Sequence, residues 1–95
     1  MISEILYEDR VDDDIDSALE YYFSINQNLV EKFLYRLEEA KIKIINTPKG
    51  FETKINGCKT VLLQQFPYHL YYTIDNRKII ILALLHAQSG PKKPI

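Results

Sequence analysis

Three short apolar runs within residues 58–86 constrain the fold more than any other part of the sequence. They occupy residues 61–63, 70–74 and 79–85, and each is rich in Ile, Leu, Val or Tyr but too short for a typical helix. Turn-forming residues separate them, first Phe66-Pro67 and then Asp75-Asn76-Arg77. The pattern predicts three strands of an antiparallel meander.

The middle run shows which side chains share a face of this sheet. Because side chains alternate along a strand, one face of the run carries Leu70, Tyr72 and Ile74, and the other carries His69, Tyr71 and Thr73. The last run is apolar at every position, which is typical of a strand inside a sheet. We therefore expect Tyr72 to lie in the core and keep Tyr71 as a candidate contact.

The first half of the chain predicts one strand and two helices. A loose alternation over residues 2–7 predicts a short strand. Helical spacing then predicts one apolar face on each helix, made of Val11, Ile15, Ala18, Leu19 and Tyr22 on the first and of Val30, Phe33, Leu34, Leu37, Ala40 and Ile44 on the second. Since the connection is short, the helices form an antiparallel hairpin whose apolar side needs a flat apolar partner.

Carboxylates crowd the start of the first helix. Asp9, Asp12 and Asp13 are expected to cap free amides and to complement the helix dipole. Consecutive acidic residues on a helix point in different directions, so residues 12–14 are not expected to converge on a metal ion.

The order of these elements sets the fold class. After the second helix, residues 51–55 are expected to be a short strand or extended segment, and Asn56-Gly57 predicts a tight turn. The chain is therefore expected to be α+β, with an N-terminal strand and a two-helix antiparallel hairpin packed on one face of an antiparallel β-sheet, in the order β-α-α-β-β-β. The 95 residues are expected to form a single domain, 1–95.

Charge is divided between the two halves of the chain. Residues 1–40 carry three basic and eleven acidic residues, a net charge of −8, whereas residues 41–95 carry nine basic and two acidic residues, a net charge of +7. The division indicates either a basic side that faces a polyanion or solvated charges that happen to cluster.

Several classes of protein are excluded. The N-terminal segment is acidic and lacks the basic and apolar regions of a signal peptide. The longest apolar run is far shorter than the roughly 20 residues that a membrane-spanning helix needs. A single cysteine, Cys58, excludes an internal disulfide and fits a reducing cytoplasm. Zinc-binding spacing and a Gly-rich phosphate loop are both missing from the sequence, so no metal or cofactor is expected.

Two histidines could carry acid–base chemistry. His69 lies on the middle strand and His86 ends the last one, so a suitable register would bring them together, with Glu52 approaching from the preceding segment. Glu and His could serve as general base and acid in phosphodiester cleavage. The alternative is that each histidine is a hydrogen-bonded structural residue.

Basic and aromatic side chains could complete such a site. Candidate ligands for phosphates in the basic half are Lys54, Lys59, Lys92 and Lys93. Tyr71, on the face of His69, could stack on a base.

The C-terminal half resembles toxins of the RelE/ParE superfamily. The resemblance rests on FPYHLYYTI at residues 66–74, a polar turn, and IIILALLH at residues 79–86. It extends into the rest of the chain through Tyr21-Tyr22, Phe33, Pro48 with Gly50, and Gly57 with Lys59. The resemblance therefore covers nearly the whole chain and implies the same α+β fold.

The resemblance implies the toxin of a type II toxin–antitoxin module, with a cognate antitoxin that wraps a disordered segment around it. The long helical hairpin favours a ParE-like toxin that inhibits growth by binding DNA gyrase. One alternative is a RelE- or YoeB-like, metal-independent endoribonuclease that cleaves mRNA on the ribosome. Another is a degenerate, attenuated toxin that retains only antitoxin binding. Whether the protein is an enzyme stays open at this point.

Within the resemblance, His86 matches the family's histidine near the end of the final strand, and Glu52 falls near its carboxylate. His69 stands where YoeB-like nucleases place an arginine. The tail after His86 departs from the family because it contains no Arg, and Lys59 replaces the usual Arg, which removes bidentate phosphate contacts. A nuclease is expected to use Glu52, His69 and His86 on one surface. A gyrase-binding toxin is expected to use the helical hairpin and a basic tail, with Lys92 and Lys93.

Overall fold

The computed structural model describes residues 1–51 and 57–87, and its elements follow the predicted order. They are β1 (Glu4–Tyr7), α1 (Arg10–Ile25), α2 (Asn28–Asn46), β2 (Lys59–Leu62), β3 (Tyr68–Asp75) and β4 (Lys78–His86). The strands form one sheet in the order β1-β4-β3-β2, and the helices pack on one of its faces. The predicted α+β fold is confirmed. Residues 52–56, which include most of the expected extended segment and turn, lie outside the described residues.

The sheet is mixed rather than wholly antiparallel. β2, β3 and β4 form the predicted antiparallel meander, and Asn76, with a positive φ of 57°, lies in the turn between β3 and β4. β1 instead pairs in parallel with β4, with Ile5 opposite Ile79 and Tyr7 opposite Ile81. Parallel neighbours need a long connection, and here the helical hairpin and the first two strands of the meander supply it.

The core lies between the helical hairpin and the sheet. α1 contributes Val11, Ala18 and Tyr22, and α2 contributes Phe33, Leu37, Ala40 and Ile44, all buried. Beneath them lie residues of the sheet that are at most 1% exposed, namely Leu70, Tyr72, Ile79 and Ile81. Tyr72 is therefore in the core, as predicted. Each large side chain buried here contributes about 1.5–3 kcal/mol to stability.

Two details of the helices differ from expectation. Asp9 does not cap α1, because its own backbone is helical (φ −55°, ψ −38°) and its side chain makes no capping hydrogen bond. Leu34 was expected on the apolar face of α2 but is 40% exposed. It follows Phe33 directly, and a step of one residue turns the side chain about 100° away from the core. In the described part of the chain, neither helix is long and apolar enough to cross a membrane.

An irregularity in β4 changes which side chains face the helices. Tyr72 pairs with Ile81, but its neighbour Tyr71 pairs with Ala83, so Leu82 is an extra residue, a β-bulge. Before the bulge, Ile79 and Ile81 face the helices; after it, Leu84 does. The bulge therefore reverses the alternation along the strand.

Candidate functional site

The structure describes four of the eight residues that the sequence marked as a site. Glu52, Lys54, Lys92 and Lys93 lie outside the described residues. Lys59, His69, Tyr71 and His86 are described, and the two faces of the sheet divide them into two pairs. We call the face that carries the helices the helix-bearing face and the other the open face.

His69 and Tyr71 lie on the open face. Their ring centroids are 6.1 Å apart. Tyr71 is only 3% exposed because it packs with Cys58 and Ala83 in a second, smaller apolar cluster. Little of its ring is therefore accessible for a base to stack on, and the contact role expected for Tyr71 stays a prediction.

His86 lies on the helix-bearing face. It is the register partner of Tyr68, and the two rings meet edge to face with centroids 5.2 Å apart. His69 is the partner of Leu85, so the two histidines are on opposite faces of the sheet. The expectation that they share one surface is wrong. Regular alternation from Ile79 would have put His86 on the open face, and the bulge at Leu82 reverses this.

Lys59 also lies on the helix-bearing face, next to the connection that follows α2. Its Nζ atom donates a hydrogen bond of 3.1 Å to the carbonyl oxygen of Phe51. Along β2 it alternates with Thr60 and shares a face with Val61, which belongs to the main core. Its ammonium group is therefore on the opposite side of the sheet from His69 and Tyr71.

The residues that the structure does bring together with His86 are tyrosines. On α1, the ring centroids of Tyr21 and Tyr22 are 5.0 Å apart. The ring centroid of Tyr22 lies 6.1 Å from that of Tyr68, and the ring of Tyr68 in turn contacts that of His86. We call these four residues the tyrosine–histidine cluster. The sequence showed the adjacent Tyr21-Tyr22 and the Pro67-Tyr68 pair at the start of a strand, but no pattern linked residues so far apart in the chain.

The chemistry of this cluster is that of neutral phenols beside one imidazole. Burial raises the pKa of Tyr22 and of Tyr68, and the nearby Tyr21 raises the pKa of both further. At neutral pH these hydroxyls keep their protons and can donate hydrogen bonds. The cluster itself contains no Lys or Arg side chain.

An acidic residue that the sequence assigned to a solvated turn has a structural partner. Asp14 accepts a hydrogen bond of 3.0 Å from the backbone N–H of Leu84, and Arg10 bridges the same carboxylate at 3.2 Å. Leu84 lies on β4 beyond the stretch that pairs with β1. Asp14 thus joins α1 to the part of β4 that β1 does not reach.

Comparison with solved structures shows the fold. The chain is similar to a chain in the structure of the chromosomal ParDE TA system from P. aeruginosa, with a TM-score of 0.72. The match covers 90% of this chain and 96% of the other, at 20% sequence identity. The fold is RelE/ParE-like. Neither the protein-family models nor the curated sequences give a match.

Proposed function

We propose that this protein is the toxin of a type II toxin–antitoxin module and that it inhibits growth by binding a protein target in the cytoplasm, with a cognate antitoxin as its partner. The observation that carries the proposal is the similarity to the ParDE chain, because it extends over 90% of the sequence with a TM-score of 0.72. DNA gyrase is the target that the resemblance to ParE-like toxins favours.

The geometry of the described residues supports binding over mRNA cleavage. General acid–base chemistry needs its groups within reach of one substrate. His69 and His86 face opposite sides of the sheet, and Lys59 contacts the carbonyl oxygen of Phe51. The runner-up, a ribosome-dependent endoribonuclease, would have to use His86 with its tyrosine neighbours instead.

The test is induced expression of the chain, alone and together with any small protein encoded beside it. We expect growth arrest that co-expression relieves, accompanied by gyrase-dependent DNA breaks and with mRNA intact. His69→Ala and His86→Ala should both arrest growth as strongly as the unchanged chain does.

Other outcomes would change the proposal in defined ways. Cleaved mRNA that is lost in His86→Ala but not in His69→Ala would establish the endoribonuclease and overturn the binding mechanism. A folded chain that binds its antitoxin without arresting growth would indicate an attenuated toxin.

A further inference from the structure

The outward side of the helical hairpin carries two rows of residues at helical spacing. They lie opposite the buried positions of their helices, since side chains three, four or seven apart share a face. The row on α1 is Asp13, Asp16, Glu20 and Phe23, and the row on α2 is Glu31, Tyr35, Glu38 and Ile42. We call these eight residues the outer rows.

Large apolar side chains in the outer rows remain in water. Phe23 is 62% exposed, Tyr35 64% and Ile42 56%. All three lie on the same outward side of the hairpin as the acidic residues of the outer rows. The ring of Tyr35 already binds a cation, because the guanidinium carbon of Arg36 lies 5.3 Å from its centroid.

The remaining outer-row residues are acidic. Glu38 bridges to Lys41 at 2.6 Å. Asp13, Asp16, Glu20 and Glu31 are exposed and make no ion pair with any residue of the described ranges. The outer rows therefore contribute five carboxylates and no basic side chain to this surface, although Arg36 and Lys41 lie beside Tyr35 and Glu38.

We propose that the outer rows bind a basic amphipathic helix of a protein partner. Such a helix would place apolar residues against Phe23, Tyr35 and Ile42 and its Lys or Arg residues against the carboxylates, which is the usual way a helix docks by anchors at helical spacing. The negative surface repels nucleic acids and anionic lipid, so a polyanion does not fit it. The inference rests on the proposed function, in which the chain acts by binding protein, and it names the chemistry of that partner.

The test uses two synthetic helical peptides of about 18 residues, roughly five turns, both with leucines on one face. One peptide carries lysines on its other face and the second carries glutamates at the same positions. Titration of the full chain should show the lysine peptide binding at least about tenfold more tightly, with the difference shrinking as salt is raised.

Matched variants locate the surface. Tyr35→Ala combined with Ile42→Ala should weaken binding of the lysine peptide about tenfold, because a few large anchor side chains contribute most of the binding energy at such interfaces. Leu62→Ala removes a half-exposed leucine from the open face and should change binding less than about twofold. Glu20→Gln with Glu31→Gln should weaken binding, whereas the same change at Glu4, which is exposed on β1, should not.

Equal affinity for the two peptides, or equal weakening by Leu62→Ala and by the double variant, would overturn the proposal, as would no binding of the lysine peptide. Circular dichroism of each variant verifies its fold. Because the titration does not depend on growth arrest, a chain that binds the lysine peptide but is not toxic would contradict the proposed function and leave the outer rows as a binding surface.

Discussion

The two faces of the sheet differ in how extensively their side chains are buried. On the helix-bearing face, Phe33 and Tyr72 belong to one continuous core with no exposed surface. On the open face, the buried cluster is small, made of Cys58, Tyr71 and Ala83, and Leu62 is 50% exposed. His86 lies on the helix-bearing face and His69 on the open face. Two side chains on adjacent strands therefore need not contact each other, even when they are close along the sheet. The register decides that.

Introducing an aspartate on each face should give the largest difference in stability between two variants. Leu37→Asp places an unpaired carboxylate where the side chain is 4% exposed, and we expect a loss of more than about 4 kcal/mol, enough to unfold a small domain. Leu62→Asp puts the same group on the half-exposed edge of the open face and should cost less than about 1 kcal/mol. Urea unfolding followed by circular dichroism measures both.

A soluble Leu37→Asp variant that unfolds cooperatively near the midpoint of the unchanged chain would contradict this difference between the faces. A Leu62→Asp variant that unfolds would show that the open face is more tightly packed than its exposure indicates.

Two aspartates on α1 should differ by a smaller amount. Asp14→Ala removes the acceptor of the Leu84 N–H, and we expect a loss of about 1–3 kcal/mol, the usual cost of leaving a polar group without its partner. Asp16→Ala, on the outward side of the same helix, should change stability by less than about 0.5 kcal/mol. Hydrogen exchange at the Leu84 amide should speed up in the first variant only; unchanged protection there would show that Asp14 does not hold β4.

A further effect on stability is expected at high pH only. Burial raises the pKa of Tyr72 from 10.0 to about 12, and its hydroxyl donates a hydrogen bond of 2.6 Å to the carbonyl oxygen of Pro48. Below pH 10 the folded and unfolded states both keep the proton. Between about pH 10 and 12 only the unfolded state loses it, so the free energy of unfolding should fall by at most about 1.4 kcal/mol per pH unit.

Tyr72→Phe isolates that contribution. At pH 7 the variant should be about 1 kcal/mol less stable, because the hydrogen bond to Pro48 is lost. The difference in stability between the unchanged chain and the variant should shrink as the pH rises above 10. The stability of the variant should itself fall more gently, because Tyr22 and Tyr68 remain. Urea unfolding at pH 8, 9, 10 and 11 provides the comparison, and a difference that stays constant would show that Tyr72 ionises alike in both states.

Much of the architecture could be predicted because it follows from local patterns. Helical spacing identified the buried faces of α1 and α2 through residues such as Ala18 and Phe33, and alternation on β3 placed Tyr72 inside and His69 outside. These patterns are local because each residue's direction is fixed by its neighbours in the same element. The fold class and most of the core could therefore be predicted from periodicity.

The candidate site was harder to predict because it depends on two features that leave no local pattern. Leu82 lies within an unbroken apolar run, and nothing in that run marks it as the bulged residue that turns His86 toward Tyr68. The tyrosine–histidine cluster joins α1, β3 and β4, so it depends on how separate elements pack. The parallel partner of β1 was missed for the same reason.

The pairing of β1 with β4 also governs the order in which the molecule can assemble. Ser3 donates to the carbonyl oxygen of Arg77 across 74 residues of sequence, and contacts of such range slow folding because the chain must close a long loop first. A ribosome adds the residues between the end of α2 and the end of this pairing in roughly 2–7 seconds. During that interval the nascent helices have apolar stripes without a sheet to cover them, and the native fold arises only after β4 has left the ribosome.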